Sequence, residues 1–172
     1  MKLRCPTAHS SMFNRASIGF LFTYDDTQIA FLGDASAPVL CRGLKRCGIN
    51  NPIEVDAVKL SHHGSGRNIS KNLLSLLKTN VYMLSTNGNA LKKKKSLPWK
   101  ITISKILKDK IEEKVHLLNN YNWWDICYNG KFFTKEDKNN YINTGKLCLY
   151  NVYENGYIVK EGLKIYGDWH NR

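Results

Sequence analysis

The stretch that decides the fold spans residues 55–65 and reads VDAVKLSHHGS. Apolar residues at 55, 57, 58 and 60, followed by two histidines and a Gly-Ser pair, are typical of a buried strand that leads into a turn. We therefore predict a strand over residues 55–60 and a turn that carries His62 and His63. Imidazole nitrogen is the commonest protein ligand of zinc, and a strand end holds its ligands rigidly. The two histidines are candidate metal ligands.

A second predicted strand, residues 28–33, ends in the same manner and is followed by Asp34. A carboxylate at one strand end and an imidazole at another form half of a metal centre when both lie at one edge of a sheet. Because neighbouring side chains on a strand point to opposite faces, we expect only one of His62 and His63 to bind metal directly. The sequence predicts half of a metal site and leaves that choice open.

The remaining patterns up to residue 118 predict alternating strands and helices. We predict strands over 17–24, 28–33, 55–60, 81–85 and 115–118, a helix over 38–47, a helix capped by Asn68 or Ser70, and a helix that starts at Ser96-Leu97-Pro98. The order β-β-α-β-α-β-α-β indicates a layered α/β half-sandwich. We predict one domain over residues 1–118.

Residues 119–172 differ in character, because aromatic residues alternate with Asn, Lys and Asp. Residues 146–161 are predicted to form a hairpin with Asn155-Gly156 in its turn. Exposed aromatics among lysines can stack on the bases of a single strand, whereas covering a small core is the commoner role of such residues. We predict a small β-rich C-terminal extension packed on the first domain.

Composition restricts the class of protein. The chain has 172 residues, 42% of them hydrophobic, which is enough for one compact domain. It has no apolar run of about 20 residues and no signal-peptide pattern, so we expect no membrane span and a cytoplasmic location. Five cysteines without a CxxC pair predict reduced thiols.

The charge predicts an anionic partner. The formal net charge is +12 and the estimated pI is 9.5, values typical of proteins that bind nucleic acid or phosphate. A lysine-rich composition bias is the alternative explanation. The densest cluster, Lys92, Lys93, Lys94 and Lys95, follows a predicted strand, where it is placed either to steer a phosphate or to form a solvated loop.

Four short motifs occur in order: NRASI at 14–18, FLGDA at 31–35, KLSHHGS at 59–65 and LSTNG at 84–88. Together they resemble the metallo-β-lactamase-fold hydrolases, in particular the branch that includes the hydrolase domain of DNA-uptake competence proteins. The resemblance implies an αββα sandwich, two zinc ions, and metal-assisted hydrolysis of a phosphodiester or nucleic acid. It implies that Asp34 and either His62 or His63 bind the metal.

The same resemblance suggests two supporting residues. Asn14 and Ser65 are predicted to hold the ligands from behind, although Ser65 has the alternative of capping the segment that follows it. No catalytic residue is assigned.

The chain also departs from that family. No His-x-His-x-Asp-His run is present, and Leu97-Pro98 stands where many members have His-Pro. We interpret the chain as the C-terminal half of a metallo-β-lactamase-like sandwich, from a truncated, split or degenerate gene. We expect weak or absent zinc binding, no activity alone, and an N-terminal half-domain polypeptide as a partner. The alternative is a non-catalytic basic binding or assembly module that has lost the metal site.

Overall fold

The computed structural model describes residues 14, 16–86, 97–110, 113–119, 136, 139–151, 157–160 and 163–166. The helices are α1 (Ala37–Arg46), α2 (Lys71–Leu76) and α3 (Lys100–Asp109), with a short π-helical turn at Asn139–Asn143. The strands are β1 (Phe20–Tyr24), β2 (Thr27–Phe31), β3 (Ile53–Glu54), β4 (Ala57–Lys59), β5 (Leu77–Lys78), β6 (Val81–Leu84), β7 (Val115–Asn119), β8 (Leu147–Asn151), β9 (Tyr157–Lys160) and β10 (Leu163–Tyr166).

Six strands form the main sheet in the order β1-β2-β4-β6-β7-β8. β1 and β2 form an antiparallel hairpin, and every other neighbouring pair in this sheet is parallel. The predicted α/β class is confirmed at this level: the chain forms a mostly parallel sheet with helices between its strands. The carboxyl ends of β2, β4, β6 and β7 therefore lie at one edge, which we call the carboxyl edge.

The three helices share one hydrophobic core with one face of the sheet. Alternate strand residues such as Ala30, Val58, Tyr82 and Leu117 belong to the same buried cluster as Leu40, Leu73, Ile103 and Ile106 of the helices. The apolar strand residues, which recur every two positions, and the apolar helix residues, which recur about every 3.6 positions, thus pack together in one layer. This layer fixes the direction in which the strand ends point.

The second face of the sheet is also apolar but has a different composition. Its buried cluster consists of Ala57, Val81 and Leu118, packed by Ile29, Met83 and Tyr150, and includes no residue of α1, α2 or α3. Toward β1 this face becomes exposed, because Phe20 and Phe22 remain 53% and 49% accessible. Phe20 stacks on Phe31 across the hairpin at 4.9 Å between ring centroids. We call this surface the second sheet face.

Two sequence predictions about single elements are wrong. The helix predicted to start at Ser96-Leu97-Pro98 begins at Lys100, after Trp99, which has no side-chain capping bond. The two described strands of residues 146–161 do not pair with each other: β8 instead pairs with β7 in the main sheet, and β9 pairs with β10, while the predicted turn at Asn155-Gly156 lies outside the described residues. A local Asn-Gly signal cannot specify a strand partner, whereas Leu147 and Leu149 add apolar surface to the helix-covered face.

No helix among the described residues is both long enough and apolar enough to cross a membrane.

Candidate metal centre

Hydrogen bonds join the loop after β2 to the turn after β4 at the carboxyl edge. The backbone N–H of His62 donates to the carbonyl of Gly33 at 2.9 Å, and the hydroxyl of Ser61 donates to the carbonyl of Ala35 at 2.7 Å. The segments that carry Asp34 and the two histidines are thus bonded to each other directly. The structure brings the predicted ligands to one edge of the sheet, while their metal-binding role stays a prediction.

A glycine is needed where the first loop turns. Gly33 has a φ of +52°, and a Cβ at this position would collide with the carbonyl oxygen of Ile18 and the hydroxyl of Ser17. Close approach lets the Ser17 hydroxyl accept a bond of 2.7 Å from the backbone N–H of Asp34. The motif at 14–18 therefore positions the aspartate through Ser17.

The histidine turn, Ser61–Gly64, has an unusual backbone. His62 and His63 both adopt left-handed conformations, with φ of +46° and +50°, and Gly64 follows with φ of +79°. Non-glycine residues in this region cost free energy and are found where the surrounding structure holds them in place. The two rings are perpendicular with centroids 6.2 Å apart, so they extend in different directions. His62 is half-buried and His63 is exposed.

The hydrogen-bond partners assign a different tautomer to each ring. His63 Nδ1 contacts the carbonyl oxygen of Ser85, which only accepts, so Nδ1 carries the proton and Nε2 has its lone pair available. His62 Nδ1 lies 2.9 Å from the Asn14 amide nitrogen. With the amide in this orientation, His62 Nδ1 accepts and Nε2 carries the proton. His63 thus has the arrangement of a metal ligand with a carbonyl behind it, and His62 that of a hydrogen-bond donor.

Lys59 adds a cation beside the aspartate. It is the last residue of β4, lies on the second sheet face, and its ammonium donates to the carbonyl of Leu60 at 3.1 Å. Burial lowers the pKa of Lys59 below its ordinary value of 10.5, and the nearby Asp34 carboxylate opposes that shift. A positive charge therefore lies close to the Asp34 carboxylate.

Helix α3 is attached to the histidine turn at its amino end. The Gly64 carbonyl accepts from the Trp99 backbone N–H at 3.1 Å and from the Thr102 hydroxyl at 2.7 Å. The Lys105 ammonium donates to the carbonyls of Gly66 and Ile69, each at 2.7 Å. These bonds attach the turn and the segment after it to the start of α3.

Two positioning residues escaped the sequence analysis, namely Ser17 and Asn68. The Asn68 amide nitrogen donates to the carbonyls of Asp34 and Ala35 and to the hydroxyl of Ser61, at 3.0, 2.9 and 3.2 Å. Asn68 does not cap α2, since Ser70 does so by accepting from the Leu73 N–H at 3.2 Å. Position in a polar loop was the only sequence signal, because Ser17 and Asn68 bond mainly to backbone groups, which every residue possesses.

The other predicted site residues have mixed outcomes. Asn14 contacts His62, as expected of a supporting residue, and Ser65 is buried with its backbone N–H donated to the His62 carbonyl. Lys92, Lys93, Lys94 and Lys95 lie outside the described residues. Within the described part of the chain, no group of three or more His, Cys, Asp or Glu side chains is placed to hold a metal ion. Asp34 and His63 are at most part of a ligand set.

Acidic side chains predominate at the opposite, amino edge of the sheet. An open groove there, among the residues that precede β2, β4, β6 and β7, is lined by five acidic side chains and two lysines, namely Asp26, Glu54, Asp56, Asp109, Glu113, Lys78 and Lys110. The chain contains 14 acidic residues against 26 basic ones. Gathering acids at the amino edge makes the carboxyl edge the more favourable one for an anion.

Comparisons of the chain with models of protein families, with curated proteins and with solved structures give no match.

Proposed function

We propose that this chain supplies one half of a zinc-dependent phosphodiester hydrolase of the metallo-β-lactamase type. Asp34 and His63 would hold the metal from the carboxyl edge. Bound zinc lowers the pKa of a coordinated water to about 7, which makes hydroxide available at neutral pH. The chain's own contribution is to fix the carboxylate, the imidazole and a neighbouring positive charge.

The observation that carries this proposal is the direct bonding of the Asp34 loop to the histidine turn. The bond from His62 N–H to the Gly33 carbonyl and the three bonds from the Asn68 amide hold two ligand-bearing segments together at strand ends. Such preorganisation is the requirement for a metal site, since loosely held ligands do not define a coordination geometry. A purely structural turn has no need of two consecutive left-handed histidines.

The choice between the histidines follows from their hydrogen bonds. A metal-bound histidine usually donates its other ring N–H to a carbonyl or carboxylate, which fixes its tautomer. His63 does so through Ser85, whereas His62 accepts from Asn14 and keeps a proton on Nε2. We assign His63 as the ligand and His62 as a donor toward a bound anion.

The missing ligands and the second sheet face support a composite protein. Tetrahedral zinc sites use three or four protein ligands, and the motif that would supply the others is not in this sequence. The second sheet face exposes Phe20, Phe22 and Tyr24 of β1, an arrangement suited to packing against another sheet. The proposed partner is a polypeptide with a sheet of its own and a His-x-His-x-Asp-His run.

A phosphodiester fits the charge better than a neutral substrate does. The acidic groove lies at the amino edge, and Lys59 and Arg67 lie near the carboxyl edge. The role of Lys92–Lys95 in steering a phosphate remains a prediction. Replacing all four by alanine is expected to reduce the slope of log affinity against log salt for DNA, because fewer counterions are released. An unchanged slope would assign the run to a solvated loop.

The test of the proposed function is zinc binding in a complemented protein. The chain is co-expressed with an N-terminal half of a family member, and zinc is measured by mass spectrometry in the purified complex. Asp34→Ala and His63→Ala are each expected to weaken the affinity for zinc by at least about tenfold, which lowers the zinc content of the complex. His62→Ala is expected to have a smaller effect. Unchanged zinc in both Asp34→Ala and His63→Ala would refute the assignment.

The zinc content of the complemented protein also distinguishes the proposed hydrolase from the alternative, a non-catalytic basic binding module. A non-catalytic basic binding module would bind DNA with the salt dependence expected for phosphate contacts and would contain no zinc, with or without the partner. Zinc that depends on Asp34 and His63 excludes that reading.

A further inference from the structure

The strongest unassigned feature is a surface pair next to the histidine turn. The Arg67 guanidinium lies over the ring of Trp99, with its central carbon 6.0 Å from the ring centroid. Arg67 is exposed and Trp99 is half-buried. The motifs described above do not include either residue.

We propose that Arg67, oriented by Trp99, is a phosphate-binding subsite for a nucleic-acid strand held at the carboxyl edge. The inference rests on the proposed function for its reaction, but binding at this subsite requires no metal. The ligand chemistry is a backbone phosphate next to the one that would be cleaved.

The position of the pair follows from the backbone. Arg67 comes four residues after His63, and the Trp99 N–H is bonded to the Gly64 carbonyl at 3.1 Å. A Cβ on Gly66 would lie 2.8 Å from Trp99 Cε3, so the turn packs closely on the indole. Both members of the pair are therefore attached to the turn that carries the proposed metal ligand.

The chemistry follows from the cation–π contact. The guanidinium of Arg67 lies over the Trp99 ring, 6.0 Å from its centroid, and the ring attracts the charge without accepting a hydrogen bond from the side chain's N–H donors, which stay available for bidentate contact with phosphate. Among the described residues, no ion pair or hydrogen bond engages the Arg67 side chain. An ordered cation with available donors at the edge of a site is suited to an anionic ligand.

Two further features strengthen the subsite. Lys105 holds the Gly66 and Ile69 carbonyls on either side of Arg67, which fixes the backbone of that segment. Helix α3 begins at Lys100, beside Trp99, and its amino end adds partial positive charge to the same region. The fixed backbone around Arg67 and the positive potential at the amino end of α3 both favour an anion at this position.

The test uses a fluorescently labelled single-stranded oligonucleotide and metal-free protein, with affinity measured by anisotropy. Arg67→Gln is expected to weaken binding about tenfold, since it removes a charged bidentate contact. The matched control is Arg46→Gln, an exposed arginine in the last turn of α1, which is expected to change affinity less than about twofold. Arg67→Lys should give an intermediate loss, because a lysine keeps the charge but not the planar fork.

Trp99 is tested as a positioning residue. Trp99→Phe is expected to keep most of the affinity, and Trp99→Leu to lose about threefold through disorder of Arg67. In the double variant of Trp99→Leu and Arg67→Gln, the loss should equal that of Arg67→Gln alone. If the indole had a purely structural role, the loss of affinity in the double variant would instead be the sum of the losses in the two single variants.

Each outcome has a definite meaning. Equal losses in Arg67→Gln and Arg46→Gln would overturn the subsite and leave only nonspecific charge. Inorganic phosphate that stabilises the wild type but not Arg67→Gln, with unchanged oligonucleotide binding in both, would overturn a nucleic-acid strand in favour of a free phosphate. Loss of oligonucleotide binding in Arg67→Gln with no zinc in the complemented protein would keep the subsite and overturn the hydrolase.

Discussion

Asn68 illustrates how one buried amide can organise a site. Its amide nitrogen donates to acceptors in both ligand-bearing segments, and only 5% of the residue is exposed. A buried acceptor left without its donor costs about 1–3 kcal/mol. Position 68 therefore couples the stability of the fold to the geometry of the site.

We predict that Asn68→Ala lowers the free energy of unfolding by about 2–3 kcal/mol, because several buried acceptors lose their shared donor. Urea denaturation followed by circular dichroism measures this change. The control is Asn72→Ala, an exposed position in the first turn of α2, which should stay within about 0.5 kcal/mol of the wild type. A small effect at Asn68 similar to that at Asn72 would mean that the two segments are held by other contacts.

We predict that Lys59 lowers the free energy of unfolding of the chain while it supplies a positive charge beside Asp34. Its pKa is lowered by burial, so the unfolded chain binds a proton more readily and stability rises with pH between the folded pKa and 10.5. Lys59→Met should raise the free energy of unfolding at pH 7 by less than about 1 kcal/mol, since the side chain is partly solvated. The gain should shrink as the pH approaches 10.5.

Urea titrations at several pH values measure this trend, with the exposed Lys78→Met as the control. A Lys59→Met variant that is less stable than the wild type at pH 7 would show that the bond from Lys59 to the Leu60 carbonyl outweighs the cost of burial.

For helices and strands, the sequence predicts features that are set by local periodicity and misses those that depend on contacts with residues distant in sequence. The strand periodicity over 28–33 and 55–60 predicted β2 and β4 to within a few residues, because alternation with the core is encoded in each strand. The start of α3 was misplaced because the bonds from Trp99 and Thr102 to the Gly64 carbonyl determine it. β8 was misassigned because its partner, β7, is distant in sequence.

The candidate site divides along the same line. Asp34 and the histidines were predicted from residue type and strand position. The difference between His62 and His63 depends on Asn14 and the Ser85 carbonyl, which are distant in sequence. The family resemblance suggested Asn14 as a supporting residue, but nothing in the sequence indicated which of the two rings it contacts or that the Ser85 carbonyl contacts the other.

Packing of the histidine turn against the segment before α3 gives a prediction at this scale. Gly64 and Gly48 have similar positive φ values, +79° and +84°, but a Cβ at Gly64 would lie 2.7 Å from Pro98 Cβ, whereas nothing lies within 4 Å at Gly48. Gly48→Ala is expected to cost about 1 kcal/mol for its backbone alone, and Gly64→Ala about 2–4 kcal/mol because the clash is added. The urea midpoints of the two variants measure the difference, and equal midpoints would refute close packing at this turn.

At the scale of the whole molecule, charge and apolar surface are both distributed unevenly. Acidic side chains line the amino edge, and the second sheet face exposes aromatic residues near β1. β1 is an edge strand whose sequence, FLFTY, contains neither a charge nor a proline. Charges and prolines are among the devices with which natural sheets protect such an edge, so an edge strand that has neither favours association with another polypeptide.

We therefore expect the isolated chain to be a poor hydrolase of marginal solubility. With two ligands in place, a zinc ion keeps most of its water, binds weakly and activates that water poorly. Under the proposed function, co-expression with the N-terminal half of a metallo-β-lactamase-fold protein should raise solubility, zinc content and hydrolysis of bis(p-nitrophenyl) phosphate together. Introducing lysine at Phe22, in the middle of β1, should block all three gains by placing a charge on the proposed interface.

The control for that interface is Ser75→Lys at an exposed position on α2, which should leave the gains intact. An isolated chain that is a soluble monomer, holds two zinc ions and turns over at an ordinary enzymatic rate of about 1–10³ per second would contradict the half-site. In that case the remaining ligands must come from parts of this chain outside the described residues, and Phe22→Lys would leave activity unchanged. The response of Phe22→Lys thus separates a site completed by a partner from one completed within the chain.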